Sequence, residues 1–448
     1  VVSQKQQYET KVQELFPALR ADLENLVRIP SVSADAFDQE HVARSAEAVA
    51  GLLRAEGIDD VRVVTAGQSR PAVIARIPAP QGQPTVLLYA HHDVQPPGDS
   101  ATWETDPFEP TERNGRLYGR GAADDKAGII AHLGALRTLG SDLGVGVTLF
   151  IEGEEEIGSP YFTQFLTEFR DELRADAIVV ADSANWKVGV PALTTSLRGL
   201  VDCVVDVEVT THAVHSGMFG GPVLDSLTLL SRLIATLHND EGDVAVAGLT
   251  HAAQPSVDYD EVDFRADAGV LPDFQLAGTG PITARLWTKP AISIIGIDAP
   301  TVALSSNTIQ PKASAKISMR IAPGQDPDAA LVALRDHLEG HAPFGAKVTV
   351  HDGEVGKPFL APEDTPAMVA ARNAFEQAWG VEPVDTGIGG SIPFIADLLE
   401  VYPDAEILVT GVEDPDSRAH GANESVDLAE LQKVVLAEAL LLAGLKRD

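Results

Sequence analysis

The chain has 448 residues, 44% hydrophobic and 22% charged, which excludes a disordered polar chain and leaves room for two or three domains with a substantial core. Acidic residues number 66 against 33 basic ones. The resulting formal charge of -33 repels phosphate backbones and anionic lipid, so neither nucleic acid nor a membrane is an expected partner. The single cysteine, Cys203 in the apolar run LVDCVVDV, rules out an internal disulfide and a thiolate metal cluster and reads as a small buried residue.

The N-terminal stretch VVSQKQQYETKVQELFPALRADLENLVRIP has helical periodicity and is too polar for a signal peptide, so a cytoplasmic location is expected. A second helix, EHVARSAEAVAGLLRAEG, stops at Gly57. VRVVTAG, AVIARIP and PTVLLYAHHD read as strands, the last apolar on both faces and so covered by helices on either side. GIIAHLGALRTLG returns to helical spacing, GVTLFIEGEEE is another buried strand, TQFLTEFRDELRA another helix and AIVVAD a further strand. This alternation predicts an α/β class, with a mostly parallel sheet flanked by helices and ligands gathered beyond the carboxyl ends of the strands.

The pattern changes near Ser196. LVDCVVDVEV, AISIIGI, ASAKISMRIAP and AKVTVHDG read as strands, VLDSLTLLSRLIATLH and DAALVALRDHLEG as helices, which fits a smaller inserted α+β domain. From Pro358 the first style resumes, with helix PAMVAARNAFEQAWG, strand AEILVTGV and closing helix LAELQKVVLAEALLLAGL. The expected organisation is therefore a catalytic domain over 1–196 and 358–448, interrupted by a second domain over 197–357.

Candidate ligands fall where buried strands end: His91 and Asp93, then Glu154, Glu155 and Glu156, then Asp182, then His420 in SRAHGANES. Asp124 and Asp125 come from the glycine-flanked turn GRGAADDKAG. A lone histidine is more often a satisfied polar residue, and acid runs are usually solvated; joint placement after buried strands is what points to a two-metal hydrolytic site. Three ligating carboxylates would offset most of the charge of two divalent cations, and a buried uncompensated charge is costly. Adjacent Glu155 and Glu156 diverge on extended chain, so one can bind metal while the other faces a water.

The segments HHDVQP, GRLYGRGAADDK, EGEEEIGS, VVADSAN, AVHSGMFGG, GGSIP and AHGANES resemble the signatures of the dinuclear metallopeptidase family of carnosinase, cytosolic nonspecific dipeptidase, glutamate carboxypeptidase and succinyl-diaminopimelate desuccinylase. The likeness runs from about residue 86 to the C-terminus and is greatest to the carnosinase and dipeptidase branch, through HHDVQPPG, the W-x-x-x-P-F segment from Trp103 to Phe108, and GGSIP.

The resemblance implies that Asp124 bridges two metals, with His91 and Asp182 completing one and Glu156 and His420 the other. It makes Glu155 the general base, places Asp93 behind His91, and implies a cis peptide bond after Asp124. Two divalent ions are implied, zinc first, with manganese or cobalt accommodated by the same donors. The inserted segment becomes a lid and homodimerisation domain. There His215 would polarise the scissile carbonyl, Asn307 and Arg320 would hold substrate, Arg320 at its carboxylate, and Gly390 and Ser391 would form a substrate-binding loop.

Two departures stand out. Gly387 and Ile388 precede GGSIP where the branch has an Arg-Glu pair, and His92 follows His91 where an apolar residue is common. The expected function is a metal-dependent dipeptidase acting on small peptides with a free carboxylate. The alternatives are an N-acyl amino acid amidohydrolase of aminoacylase or desuccinylase type, which keeps the chemistry, and a non-catalytic metal-binding protein on the same fold.

Overall fold

A computed structural model of the chain describes residues 3–447. They divide into two compact units: residues 3–194, 361–385 and 397–447 form the first, and 195–360 with 386–396 the second.

The first unit is built on a six-stranded sheet. In spatial order its strands are Asp60–Val64, Ala72–Ile77, Gly146–Glu152, Thr85–His91, Ala177–Ala181 and Glu406–Thr410. The last four run parallel, and the first two are antiparallel additions at one edge. Every residue of Gly146–Glu152 and Ala177–Ala181 is buried, so both faces of those strands are covered, as their unbroken apolar runs require. The helices Gln4–Val27, Lys126–Leu139 and Leu428–Gly444 pack on one another, while Glu40–Ala55 packs on the two edge strands. The expected helix TQFLTEFRDELRA is confined to Phe162–Glu168, with turns beyond it.

Two contacts fix the helix Lys126–Leu139, which begins directly after the Asp124–Asp125 turn. Gly128 lets it approach the sheet: a Cβ there would sit 2.6 Å from the Ala181 carbonyl and 2.3 Å from Asp125 Oδ1. Buried Lys126 donates through Nζ to the Leu26 and Ile29 carbonyls, at 2.6 and 2.8 Å, and so satisfies the C-terminal end of the first helix.

The second unit carries a four-stranded antiparallel sheet in the order Ala291–Asp298, Lys312–Ile321, Gly199–Glu208, Lys347–Gly356. Its alternation is plain: Val201, Cys203, Val205 and Val207 enter a core shared with the helices Ser226–Ala235 and Pro327–Gly340. Asp206, which points the other way, pairs with Lys312 at 2.8 Å and His351 at 2.9 Å. Burial pushes the Cys203 thiol up to about 12, which agrees with an inert core residue.

One stretch departs from the expected boundaries. Residues 386–396, expected in the returning catalytic part, group with the second unit. The Arg198 guanidinium donates to the Gly389 carbonyl at 3.0 Å, and Gly387 lies against Trp287, where a Cβ would come within 2.6 Å of that side chain. Trp287 thus occupies the space that a side chain at position 387 would need.

Candidate metal centre

Four parallel strands deliver their carboxyl ends to one place. His91 closes the strand Thr85–His91, Glu155 and Glu156 open the turn after Gly146–Glu152, Asp182 follows Ala177–Ala181, and His420 lies in the loop after Glu406–Thr410. Asp124 joins them from the turn before Lys126–Leu139, and the Asp124–Asp125 peptide bond is cis, as the resemblance implied.

The two carboxylate oxygens of Asp124 face different histidines. Oδ1 lies 3.1 Å from His91 Nε2, and Oδ2 lies 3.0 Å from His420 Nε2. Around His91 Nε2 stand Asp182 Oδ1 at 3.6 Å and Glu155 Oε2 at 3.8 Å; beside His420 Nε2 stands Glu156 Oε2 at 3.2 Å. Two groups of donors therefore meet at one carboxylate. His420 adopts a left-handed backbone, φ 63°, uncommon for a residue with a side chain.

The surroundings orient these groups. His91 Nδ1 faces two acceptors, the Asp93 carbonyl at 3.0 Å and Asp93 Oδ1 at 3.3 Å, which places a proton there and turns Nε2 toward the acids. Asp93 also accepts from Ser33 Oγ at 2.6 Å and from the amides of Glu155 and Glu156. Gln95 donates to Glu156 Oε2 at 2.8 Å, while buried Glu156 Oε1 has no hydrogen-bond partner among the described residues.

The protein's own charges set the protonation of the site. Burial would raise the Asp124 carboxyl, but the imidazoles of His420 and His91 outweigh it and hold it below the ordinary range. Burial, reinforced by Asp182 and Glu156 and opposed by His91, pushes Glu155 up to about 8; burial likewise brings Glu156 to about 7. Asp124 and Glu156 pull His420 up to about 11. A cluster so rich in mutually repelling carboxylates, with an unpartnered buried oxygen, fits two divalent cations bound by nitrogen and oxygen donors.

The two residues left open by the sequence separate clearly. His92 is buried away from the acids: Nε2 bonds the Pro71 carbonyl at 2.8 Å and burial lowers its pKa to about 4, so it ties the strand end to a neighbouring loop. Asp125 shares a tight cluster with His91 and Asp182, but its Oδ2 accepts the His91 backbone amide at 3.1 Å and its Oδ1 is packed by Gly128. Asp124 differs in that both of its oxygens face imidazole nitrogens.

Several contributors were not singled out from sequence. Gln95 lies within HHDVQP and Glu424 within AHGANES, so a polar residue at a motif's edge was the available signal; Ser33 carried none. Glu413, beyond the strand Glu406–Thr410, is a further acid whose carboxyl burial and the nearby Asp124 and Asp182 push well above the ordinary range.

In the second unit, His215 and Asn307 come together. The short strands Val214–His215 and Thr308–Ile309 pair antiparallel, His215 opposite Thr308, and the Ser216 amide donates to the Asn307 carbonyl at 3.0 Å. His215 Nδ1 accepts the Gly217 amide at 3.0 Å, so the ring carries its proton on Nε2. Arg320 lies in the strand Lys312–Ile321 with no ion-pair partner among the described residues. Ser391 Oγ lies 3.8 Å from the position a Cβ would take on Gly356, and a Cβ on Gly390 would meet open space.

Two histidines and several buried acids gathered beyond the carboxyl ends of a parallel sheet are the arrangement of a metal-dependent hydrolase. The chain belongs to peptidase family M20/M25/M40, whose model matches residues 87–443. It is similar to the cysteinylglycine-S-conjugate dipeptidase of Corynebacterium striatum, 37% identical over 415 residues that cover 90% of each chain. It is also similar to the beta-Ala-His dipeptidase of Rattus norvegicus, 29% identical with 81% of this chain and 77% of that one covered. Its fold matches that of human carnosine dipeptidase 1 with a TM-score of 0.71, at 25% identity over 99% of both chains.

Proposed function

We propose that this chain is a metal-dependent dipeptidase that hydrolyses the amide bond of small peptides bearing a free carboxylate. The observation that carries the reading is Asp124, whose two oxygens face His91 on one side and His420 on the other, with Glu155 beside the first. His91, Asp124 and Asp182 would hold one metal, and Asp124, Glu156 and His420 the other. When bound, two divalent ions supply a water of near-neutral acidity and polarise the scissile carbonyl. Glu155, raised by burial toward neutrality, takes the water's proton and passes it to the leaving nitrogen as the C–N bond breaks, giving a carboxylate and an amine. Asp93 holds His91 and the Glu155–Glu156 turn in register for both tasks. His215 offers Nε2–H to the developing oxyanion, and Arg320, with Asn307, Gly390 and Ser391, binds the substrate, Arg320 taking its carboxylate in bidentate fashion.

The dipeptidase names of the two relatives support peptides over N-acyl amino acids, which the same chemistry would also serve. A non-catalytic role is disfavoured by the presence of both Glu155 and a full ligand set. Zinc is the proposed metal. A homodimer is proposed through the second unit, supported by its edge strand Ala291–Asp298, which exposes Ile295 and Ile297; sedimentation of a monomer would reject it. A cytoplasmic location fits the lone buried thiol. The deciding experiment assays dipeptides and N-acyl amino acids after chelation and after adding back zinc or manganese. Metal-restored cleavage of dipeptides is expected, and cleavage of N-acyl amino acids alone would replace this reading with its rival.

A further inference from the structure

Glu424 is fully buried beneath the site and touches no residue assigned as a ligand through its side chain except the Asp124 amide. Its carboxylate accepts four hydrogen bonds, two on each oxygen. Oε1 takes the backbone amides of Ala123, at 3.1 Å, and Asp124, at 2.9 Å; Oε2 takes the Gly121 amide at 2.9 Å and Arg120 Nη1 at 2.7 Å. The Glu424 carbonyl accepts the Gly119 amide at 2.9 Å, so residues 119–124 are gripped by this one residue along their length.

Glu424 also belongs to the loop that carries His420. That loop is closed by the Ser425 amide donating to the Ser417 carbonyl at 2.9 Å, and Asn423 pins it further by accepting the Glu104 amide at 2.8 Å. Asp124 and His420 come from distant parts of the chain, yet Asp124 Oδ2 must sit beside His420 Nε2 for the two to share a metal. Glu424 is the residue that bonds the turn of one while standing in the loop of the other. We infer that Glu424 is a positioning residue that fixes Asp124 against His420 and so sets the affinity of the metal site those two share with Glu156. This rests on the two-metal reading proposed above.

The arrangement demands an acid. All four partners are N–H donors, and each oxygen receives two of them, so either rotamer of a glutamine would turn its NH2 group onto two donors. The test is Glu424→Gln, with Zn2+ binding followed by chelator competition and unfolding of the metal-free protein measured in parallel. The native chain should bind two equivalents. In Glu424→Gln the equivalent held with His420 should weaken by about ten- to a hundredfold, the range seen for groups that orient ligands, and the other, which shares Asp124 but not His420, should weaken by less. A purely structural role would lower the unfolding temperature of the metal-free protein and leave both affinities alone, which overturns the inference.

If Glu424→Gln does not fold, Glu424→Asp keeps a charge opposite Arg120 but is one methylene shorter, and the same selective loss is expected. Two equivalents at native affinity in any folded variant, or failure of both variants to fold, would also overturn it. A native chain that binds no zinc would instead remove the two-metal reading itself.

Discussion

The backbone amide of Glu155 donates to Asp93 Oδ1 at 3.2 Å, the same oxygen that lies 3.3 Å from His91 Nδ1. One carboxylate oxygen thus links the group assigned as base to the ring assigned as ligand. The other oxygen of Asp93 takes the Glu156 amide at 3.0 Å and Ser33 Oγ at 2.6 Å. Asp93 does more than fix a tautomer: it holds the turn that presents both Glu155 and Glu156.

Asp93→Asn should therefore damage both functions. Each oxygen of Asp93 faces a backbone amide that can only donate, Glu155 on Oδ1 and Glu156 on Oδ2, so an amide nitrogen in either orientation meets a hydrogen rather than a lone pair. The expected loss is about ten- to a hundredfold in metal affinity, with a fall in kcat at saturating metal because the Glu155 turn is released. Metal titration followed by kinetics on the saturated variant checks this. Loss of metal affinity with kcat fully restored at saturation would confine Asp93 to His91.

Glu155→Gln isolates the proton transfer. Glu155 Oε2 is 3.8 Å from His91 Nε2, farther than Asp124 or Asp182, so its removal should leave both metals in place. General-base catalysis contributes roughly a hundredfold to ten-thousandfold, and kcat should fall by at least that range with metal content unchanged. Turnover close to native would sink the assignment of the base; loss of a metal would make Glu155 a ligand instead.

The parallel sheet, the inserted α+β unit and the strand ends bearing His91, Glu156, Asp182 and His420 were legible because long apolar runs declare their period and their burial. What remained unreadable were contacts made through backbone groups. Nothing in the composition of GANES says that Glu424 will collect three amides some 300 residues earlier, since any acid may be solvated. Asp124 and Asp125 are chemically identical neighbours, and only the fold decides that the second spends an oxygen on the His91 amide. Gly387 likewise reads as a loop former until Trp287 is seen to fill the space beside it.

Metal binding should weaken as pH falls. Ligands must be deprotonated, and a proton held by the site has to leave when an ion enters. His420, pulled up to about 11 by Asp124 and Glu156, carries a proton at neutral pH, and Glu156 at about 7 carries one for part of the time. Lowering the pH through the Glu156 value adds protons to the site and to the competition. Calorimetric zinc titrations over about pH 6 to 8, in buffers of different ionisation enthalpy, should show proton release and rising affinity with pH. Affinity independent of pH, with no protons released, would contradict the protonation of His420 and Glu156 argued above.

His215 gives the sharpest separation of binding from chemistry. Its Nδ1 accepts the Gly217 amide at 3.0 Å, a bond that fixes the proton on Nε2 in the neutral ring and makes that nitrogen a hydrogen-bond donor. A group acting only on the oxyanion should matter in the transition state and little in the ground state. His215→Ala should accordingly lower kcat by roughly a hundred- to a thousandfold, the range for removal of one such donor, and leave KM within a few-fold. Metal content should not change, because no ligand of either site lies in the segment around His215. An unchanged kcat would take His215 out of the mechanism, whereas a rise in KM alone would make it a substrate-binding residue.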